Sequence, residues 1–470
     1  MYTKEQKIAI LGAGPAGLHM GYLLNKNGFK NITIFEQNSN VGGQSLTVNY
    51  CDIPYEMGTC YYHFNCFELI DLLKEHGLYQ TVAITPKFCK FITEDDSEIP
   101  NKDWVFTEIA KLKWGKYLPK IVSIPIIMAA IKEYSNLSAR IIRKSAYNIP
   151  QNAKYNYRNS LSDSMMSLMQ EYNLLHIEKP ILNLSSLMCY GSPLDIPAYY
   201  GLYAFKEEIL SMYIKYVMAL PDSNFANIIT GGFQKLWESI VTTHNLKVKM
   251  PVKIYSITRT VEQNNAKKIN ISYSYKNTEI KEEFDCLISA IPGKSTLQIL
   301  QNPSEQEKEV FTPQFNSKVV TRLITTRSIK HDSGLVFWPH ELSNRSQCNI
   351  ITIRNTAKFL SLANSSSNAF VTYQYCNNEA DFNQSKCDED FINDLEKKGI
   401  KLDKEISQNT WSYFPKYNQQ DIQNGLPWKT LLLQGVNNTW YIGSSVSFES
   451  INAVLNFNHL IMDMINKKCN

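Results

Sequence analysis

Several things are scarce in this 470-residue chain, and each shortage removes a class of function. Net charge is only +4, too little to argue for a nucleic-acid partner. No apolar run reaches the roughly 18 residues that a membrane-crossing helix needs. The ten cysteines (51, 60, 66, 89, 189, 286, 348, 376, 387 and 469) form no CxxC pair, and none neighbours a histidine at zinc spacing. No metal site is therefore expected, and the thiols are expected to be reduced. The charged leader MYTKEQK runs straight into an apolar segment, which predicts no signal peptide and a cytoplasmic protein. Internal repeats, long linkers and low-complexity tracts are also missing. What remains is ordinary for a soluble protein: 44% hydrophobic and 20% charged residues, on a length that suits two domains with real cores. Aromatics at 12% leave both large cores and aromatic-lined pockets open.

The most informative stretch is KIAILGAGPAGLHMGYLLNKNGFKNITIFEQNSNVGG. Ile8 to Leu11 reads as a buried parallel strand, followed by a glycine turn and a helix to about Asn27. Ile32 to Phe35 reads as the next strand, ending on Glu36. This is a dinucleotide-binding βαβ unit, each glycine having a job. Gly12 allows the tight turn, Gly14 lets backbone approach a pyrophosphate at the helix N-terminus, and Gly17 lets helix and strand pack closely. Glu36 can accept hydrogen bonds from a ribose. Ala16 in the same turn and Gln37 beside the acid are further cofactor candidates. The Val41-Gly42-Gly43 extension resembles the FAD site of glutathione-reductase-type and amine-oxidase-type flavoproteins. There is no second GxGxxG, so flavin alone is expected.

Along the chain, residues 37–60 predict an irregular cofactor-side loop. Residues 65–77 predict a helix with Phe67, Leu69, Ile70 and Leu73 buried and Gly77 as its stop. Residues 84–225 are Lys- and aromatic-rich with a mostly helical pattern, expected to form an inserted cap or substrate domain. Within it, KLKWGKYLPKIVSIPIIMAAIKEY suggests either weak contact with a membrane surface or a buried cap helix with a solvated basic edge. Residues 300–420 hold β-rich runs (VVTRLITT, GLVFW, NIITI, AFVTYQYC) that predict an antiparallel sheet. The flavin domain is then discontinuous, about 1–83, 226–299 and 421–470. The fold class is α/β: a Rossmann-like FAD-binding domain of glutathione-reductase type, with a substrate domain of antiparallel sheet plus helical cap.

The resemblance to amine-oxidase-type flavoproteins extends further. It implies that Glu56-Met57-Gly58 passes beside the isoalloxazine ring, giving Met57 and Gly58 as cofactor residues. It implies that the strand holding Val252 contacts the adenine and that the Ala-x-Pro strand end, at Pro292, abuts the cofactor. The C-terminal TWYIGSSVSFESINAVL implies closure of the site by Gly443, Ser444, Ile451 and Asn452, with a helix N-terminus facing the flavin N1–C2=O edge, where reduced flavin is anionic. Asn452 is expected to open that helix as its cap.

Within that superfamily the chain resembles the bacterial polyunsaturated (polyenoic) fatty acid double-bond isomerases. IAILGAGPAGL, PYEMG, YGSPLDIPAYYGL and QNTWSYFPKYNQQDIQNG through TWYIGSSVSF carry the resemblance. It implies an enzyme in which flavin takes a hydride from a bis-allylic carbon and returns it elsewhere on the same apolar, fatty-acid-like substrate. The family's basic carboxylate anchor falls in ITPKFCKFITEDD, where this chain has Lys87 and Lys90 but no arginine; a lysine meets a carboxylate as a point charge, not a fork. Two further departures are Ser444, where many relatives place an acid, and Gln44, where many carry Arg or Lys. Tyr61, Tyr413 and Phe414 are candidates to line the flavin face, core packing being the alternative. No side chain is singled out as a catalyst, and His63 and His459 are expected to be structural. No cysteine is aligned for covalent attachment, so FAD is expected to be non-covalent. The alternative activity is an amine or natural-product oxidase or dehydrogenase; a flavin fold kept as a binding module is the third. Oligomeric state is not readable from the sequence.

Overall fold

The computed structural model describes residues 3–84, 89–100, 120–178, 181, 184–185, 188–217, 226–261, 267–329, 334–343, 348–360 and 368–469. Lys87 and the basic–aromatic stretch 111–117 lie outside these. A five-stranded, all-parallel sheet sits at the centre of the nucleotide half. Its order is Val248–Lys249, Asn31–Phe35, Lys7–Leu11, Cys286–Ser289, Thr439–Tyr441. Such strands are covered on both faces, which is why they read as unbroken apolar runs. Period-2 alternation sends Ile8 and Ile10 to one face, against the helices Pro15–Lys26 and Ile451–Cys469. Ala9 and Leu11 point to the other, where the antiparallel meander Val252–Val261, Lys267–Tyr275, Thr278–Phe284 supplies Ile257, Ile271 and Tyr273.

The other half is built on a seven-stranded mixed sheet. Its order is Lys404–Lys416, Phe315–Thr325, Ala369–Cys376, Ile350–Arg354, Leu335–Phe337, Cys89–Ile92, Glu98–Pro100. All its pairings are antiparallel except Leu335–Phe337 with Cys89–Ile92. Two strands of this sheet therefore come from the stretch 84–225 that the sequence pattern reads as helical. They are short three- and four-residue strands paired with each other, and the pairing that carries them into the sheet, Cys89–Ile92 with Leu335–Phe337, joins residues more than two hundred positions apart, so no local periodicity marks them. The remainder of that stretch is helical as expected. Lys120–Ile141, Ala198–Ala204 and Glu207–Val217 pack Ile127, Tyr134, Leu202 and Leu210 into a core shared with Phe91 and Phe337 of the sheet. TWSYFPKY also joins the sheet, extending its longest strand.

Smaller differences have simple causes. The helix expected over 65–77 spans Phe67–Glu75, so Leu69, Leu72 and Leu73 form its buried stripe while Phe67, at its first turn, is 69% exposed. The stretch before Gly231-Gly232 is a strand, Ala226–Ile229, clamped between Tyr62–His63 and Thr81–Ala83. Among the described residues, no helix is long and apolar enough to cross a membrane.

Candidate functional site

The two halves enclose a cavity of about 1240 Å³. One end is made of backbone. Gly12 adopts φ +94°, and its N–H donates to the Phe35 carbonyl (2.8 Å), joining the glycine turn to the end of the neighbouring strand. A Cβ on Gly17 would lie 1.9 Å from the Gly12 carbonyl oxygen, so only glycine lets the helix start this close to the strand. Gly43 brings its Cα against Gly14, closing a second wall of the cradle. A Cβ on Gly58 would fall 1.9 Å from the Gln44 carbonyl, which pins the 44–59 loop onto that wall. Glu36 is buried; its Oε2 accepts from the Ala13 N–H and its Oε1 from the Asn38 N–H, each at 2.8 Å. The Val252 N–H donates to the Glu36 carbonyl (2.8 Å), bringing the meander beside the acid.

These features suit a dinucleotide. Gly14 faces the cavity with nothing closer than 3.7 Å to its would-be Cβ, leaving room for a phosphate against backbone. The helix behind it carries no acidic residue in its first turn, so its positive end is uncompensated. A second helix, Ile451–Cys469, also opens on the cavity through Ile451 and Asn452. Its cap is Ser450 rather than Asn452: the Ser450 Oγ accepts from the Ala453 N–H at 3.2 Å. Asn452 is the second residue of the helix, within its first turn, and accepts from the Asn456 side chain instead. Gly443 (φ +85°), Ser444 and Pro292 complete the lining on this side.

The far end is aromatic. Tyr61, Tyr190, Tyr203, Tyr413 and Phe448 line it, with Trp411 nearer the loop 57–60. Tyr190 and Tyr413 lie parallel, 6.2 Å apart, and the Tyr413 hydroxyl is tied to the Met188 carbonyl at 2.8 Å. Trp411 donates its indole N–H to the Met57 carbonyl (2.7 Å), so the sheet and the cofactor-side loop are joined here.

Of the residues read from sequence, Gly12, Gly14, Ala16, Glu36, Gln37, Gly43, Gln44, Gly58, Val252, Pro292, Gly443, Ser444, Ile451, Asn452, Tyr61 and Tyr413 line this cavity. Four do not. Gly17 works behind the wall by close packing. Met57 is fully buried in the core beneath the sheet and contributes only its carbonyl. Phe414 is 1% exposed, packed on Tyr190, Tyr200 and Phe448. Lys90 pairs with Glu98 on the neighbouring strand at the sheet's edge, away from the cavity. His63 lines the cavity; His459 instead lies beside Glu68, 3.1 Å away.

Among the lining residues that escaped the sequence, two charged ones stand at the aromatic end. Glu449 accepts from the Phe414 N–H at 3.0 Å, and burial pushes its carboxyl up to about 7. Lys206 sits over the Tyr203 ring, 3.9 Å from its centroid, and burial draws its ammonium down to about 7. Each is an ordinary charged residue in sequence; only the fold buries it. The chain-level hint was thin: both follow an aromatic residue in an aromatic-rich stretch, YYGLYAFK and SFE.

Residues 10–74 match the model of the NAD(P)-binding Rossmann-like domain. Over 55 residues the chain is 34% identical to the polyenoic fatty acid isomerase of Ptilota filicina, a match covering 12% of this chain and 11% of that one. Whole-chain likeness appears among solved structures. A fatty acid isomerase from P. acnes that produces CLA superposes with a TM-score of 0.80 over 99% of both chains, at 21% identity. The chain has the amine-oxidase-like flavoprotein fold. Putrescine oxidase shares this fold at a TM-score of 0.67 and 14% identity, over 98% of this chain and 99% of that one. The nucleotide-binding match ends before the seven-stranded sheet begins, so the two ends of the cavity rest on different kinds of likeness.

Proposed function

We propose that this chain is an FAD enzyme that moves a double bond along an apolar, unsaturated fatty-acid-like substrate by taking up and returning a hydride. When bound, FAD supplies the two-electron hydride chemistry at its ring. The observation that carries this reading is one uninterrupted cavity with a backbone cradle at one end and tyrosines at the other, next to a cation that has no ion-pair partner among the described residues. Gly14 and Gly43 would hold the pyrophosphate, Glu36 the ribose and Val252 the adenine side. Ile451 and Asn452 would set a helix N-terminus against the ring edge. The aromatic wall of Tyr61, Tyr190, Tyr413 and Phe448 would keep water out and hold an alkenyl chain straight beside the ring. Lys206 is the cation on the aromatic side of the lining, and among the described residues no ion pair or hydrogen bond is assigned to its ammonium. A buried ammonium in that state is costly unless an anion joins it, which suits a substrate carboxylate. Lys206 thus takes the anchoring role expected of Lys90. FAD would be held without a covalent bond, although Cys60 lies in the lining.

A second reading is an amine oxidase or dehydrogenase. It is favoured by Glu449, a carboxylate on the same wall that suits a cationic substrate, and by the shared fold of putrescine oxidase. Anaerobic incubation of the yellow protein with linoleic-type acids separates the two. Conjugated-diene absorbance with the flavin oxidised at the end is expected. Bleaching by amines that only oxygen reverses, without diene formation from acids, would overturn the isomerase reading in favour of the oxidase.

A further inference from the structure

Outside the cavity lining, the chain carries two histidine–carboxylate clusters, and they differ in one respect. In one, Glu68 Oε1 lies 3.2 Å from His19 Nε2 and 3.1 Å from His459 Nε2. The carboxylate is close enough to share protons with both rings, and it is held well below its usual range by them. In that cluster both ring nitrogens already lie within 3.2 Å of the carboxylate, although only the His19 contact has hydrogen-bond geometry and His459 Nε2 has no hydrogen-bond partner among the described residues.

In the other cluster, one donor atom from each of Glu75, His76 and His244 lies within 4.8 Å of the other two. His76 Nε2 and His244 Nε2 are shielded from water, and among the described residues neither has a hydrogen-bond partner. The nearest carboxylate oxygen to His244 Nε2 is Glu75 Oε1 at 3.7 Å. This is too long for a hydrogen bond. It is close to the spacing of two ligands that each stand about 2.0–2.2 Å from one zinc-sized ion. We propose that Glu75, His76 and His244 bind one divalent transition-metal ion of the zinc class, with water completing its shell.

The surroundings are arranged as metal sites require. The remaining nitrogen of His76, Nδ1, lies 2.9 Å from the Ser239 hydroxyl, which fixes the ring and leaves Nε2 facing the gap. The second oxygen of Glu75 accepts from the Tyr22 hydroxyl (2.8 Å) and from Lys26 (3.0 Å), so Oε1 is the one left for an ion. Tyr22 also packs edge-on against His244, centroids 4.8 Å apart. His76 and His244 are the C-terminal caps of the helices Phe67–Glu75 and Gln234–Thr243, and Pro15–Lys26 ends beside them. Three helix C-termini thus converge, and their negative ends favour a cation. Lys26 works against it as the local positive charge. The three ligands come from two distant parts of the chain, which is why no spacing motif announced them.

The test uses the full-length, flavin-loaded protein stripped with a chelator and titrated with Co²⁺ and then Zn²⁺. Expected is a single site: a Co²⁺ visible spectrum of low symmetry, displaced by one equivalent of Zn²⁺, and a rise in melting temperature on Zn²⁺ binding. His76→Asn and His244→Asn should each remove the spectrum, and Glu75→Gln, at an exposed position, should weaken binding at least tenfold. His459→Asn, in the first cluster, should leave binding as it is. Retained flavin absorbance reports that each variant is folded. The proposal is overturned if the wild-type chain takes up no Co²⁺ or Zn²⁺ in tenfold excess, if folded His76 and His244 variants bind as well as wild type, or if His459→Asn alone abolishes binding.

Discussion

The two ends of the cavity were built by different means. The dinucleotide end is almost all backbone: five glycines, two helix N-termini and one acid whose carboxylate is held by main-chain N–H groups. Most of its parts lie within sixty consecutive residues. The substrate end is made of side chains from six separated stretches, around residues 61, 190, 203, 319, 411 and 448. Backbone cradles tolerate little change because no smaller residue exists than glycine, whereas an aromatic wall can be re-lined one ring at a time. On the proposed reading, the first end would hold the cofactor and the second the substrate.

Three substitutions test that contrast. The largest effect is expected from Gly58→Val, whose Cβ meets backbone rather than a movable side chain. Purified protein should be more than tenfold poorer in bound flavin and should not regain it in excess FAD; a fully yellow variant would show that the loop yields and that the cradle is not rigid. Lys206→Met should come next. Affinity for an unsaturated fatty acid should fall about tenfold, near 1.4 kcal/mol, while its methyl ester binds as before and flavin content is unchanged. Lys90→Ala, by contrast, should alter neither, because that lysine is engaged by Glu98. Equal losses for acid and ester in Lys206→Met would mean that packing, not charge, was removed.

The smallest effect concerns Glu449. Its folded-state pKa, about 7, lies above the unfolded value of 4.5, so the folded protein holds the extra proton between them. Its favourable contribution is present in full below about pH 4.5 and is lost as pH rises towards 7. Glu449→Gln should accordingly melt progressively higher relative to wild type between pH 5 and 8, by a few degrees. A difference that is flat with pH would mean that the carboxyl titrates normally.

How much of this was legible in advance follows the same division. Gly12, Gly14 and Glu36 belong to one βαβ unit, so spacing alone singled them out, whereas Gly43 was read from a resemblance; all four line the cavity. Tyr413 was visible because its strand carries a recognisable aromatic segment. Phe414, its neighbour, was misplaced because it adopts φ +54°, which turns its ring behind the wall instead of across it. Asn452 was taken for the helix cap because Ser450 and Asn452 are both good caps, and only the Ser450 hydrogen bond decides between them. Lys90 looked like an anchor because a basic residue stands at the matching place in the chain, yet a neighbouring strand brings Glu98 to it.

By itself, the sequence determined the α/β class, the dinucleotide cradle and the helix that closes it. Each depends on residues a few positions apart, and local sterics leave glycine little choice. The tertiary structure alone decided which charges are buried. Lys206 and Glu449 acquire their character from burial, and His76 and His244 from partners far along the chain; desolvation is a property of the fold, not of the residue.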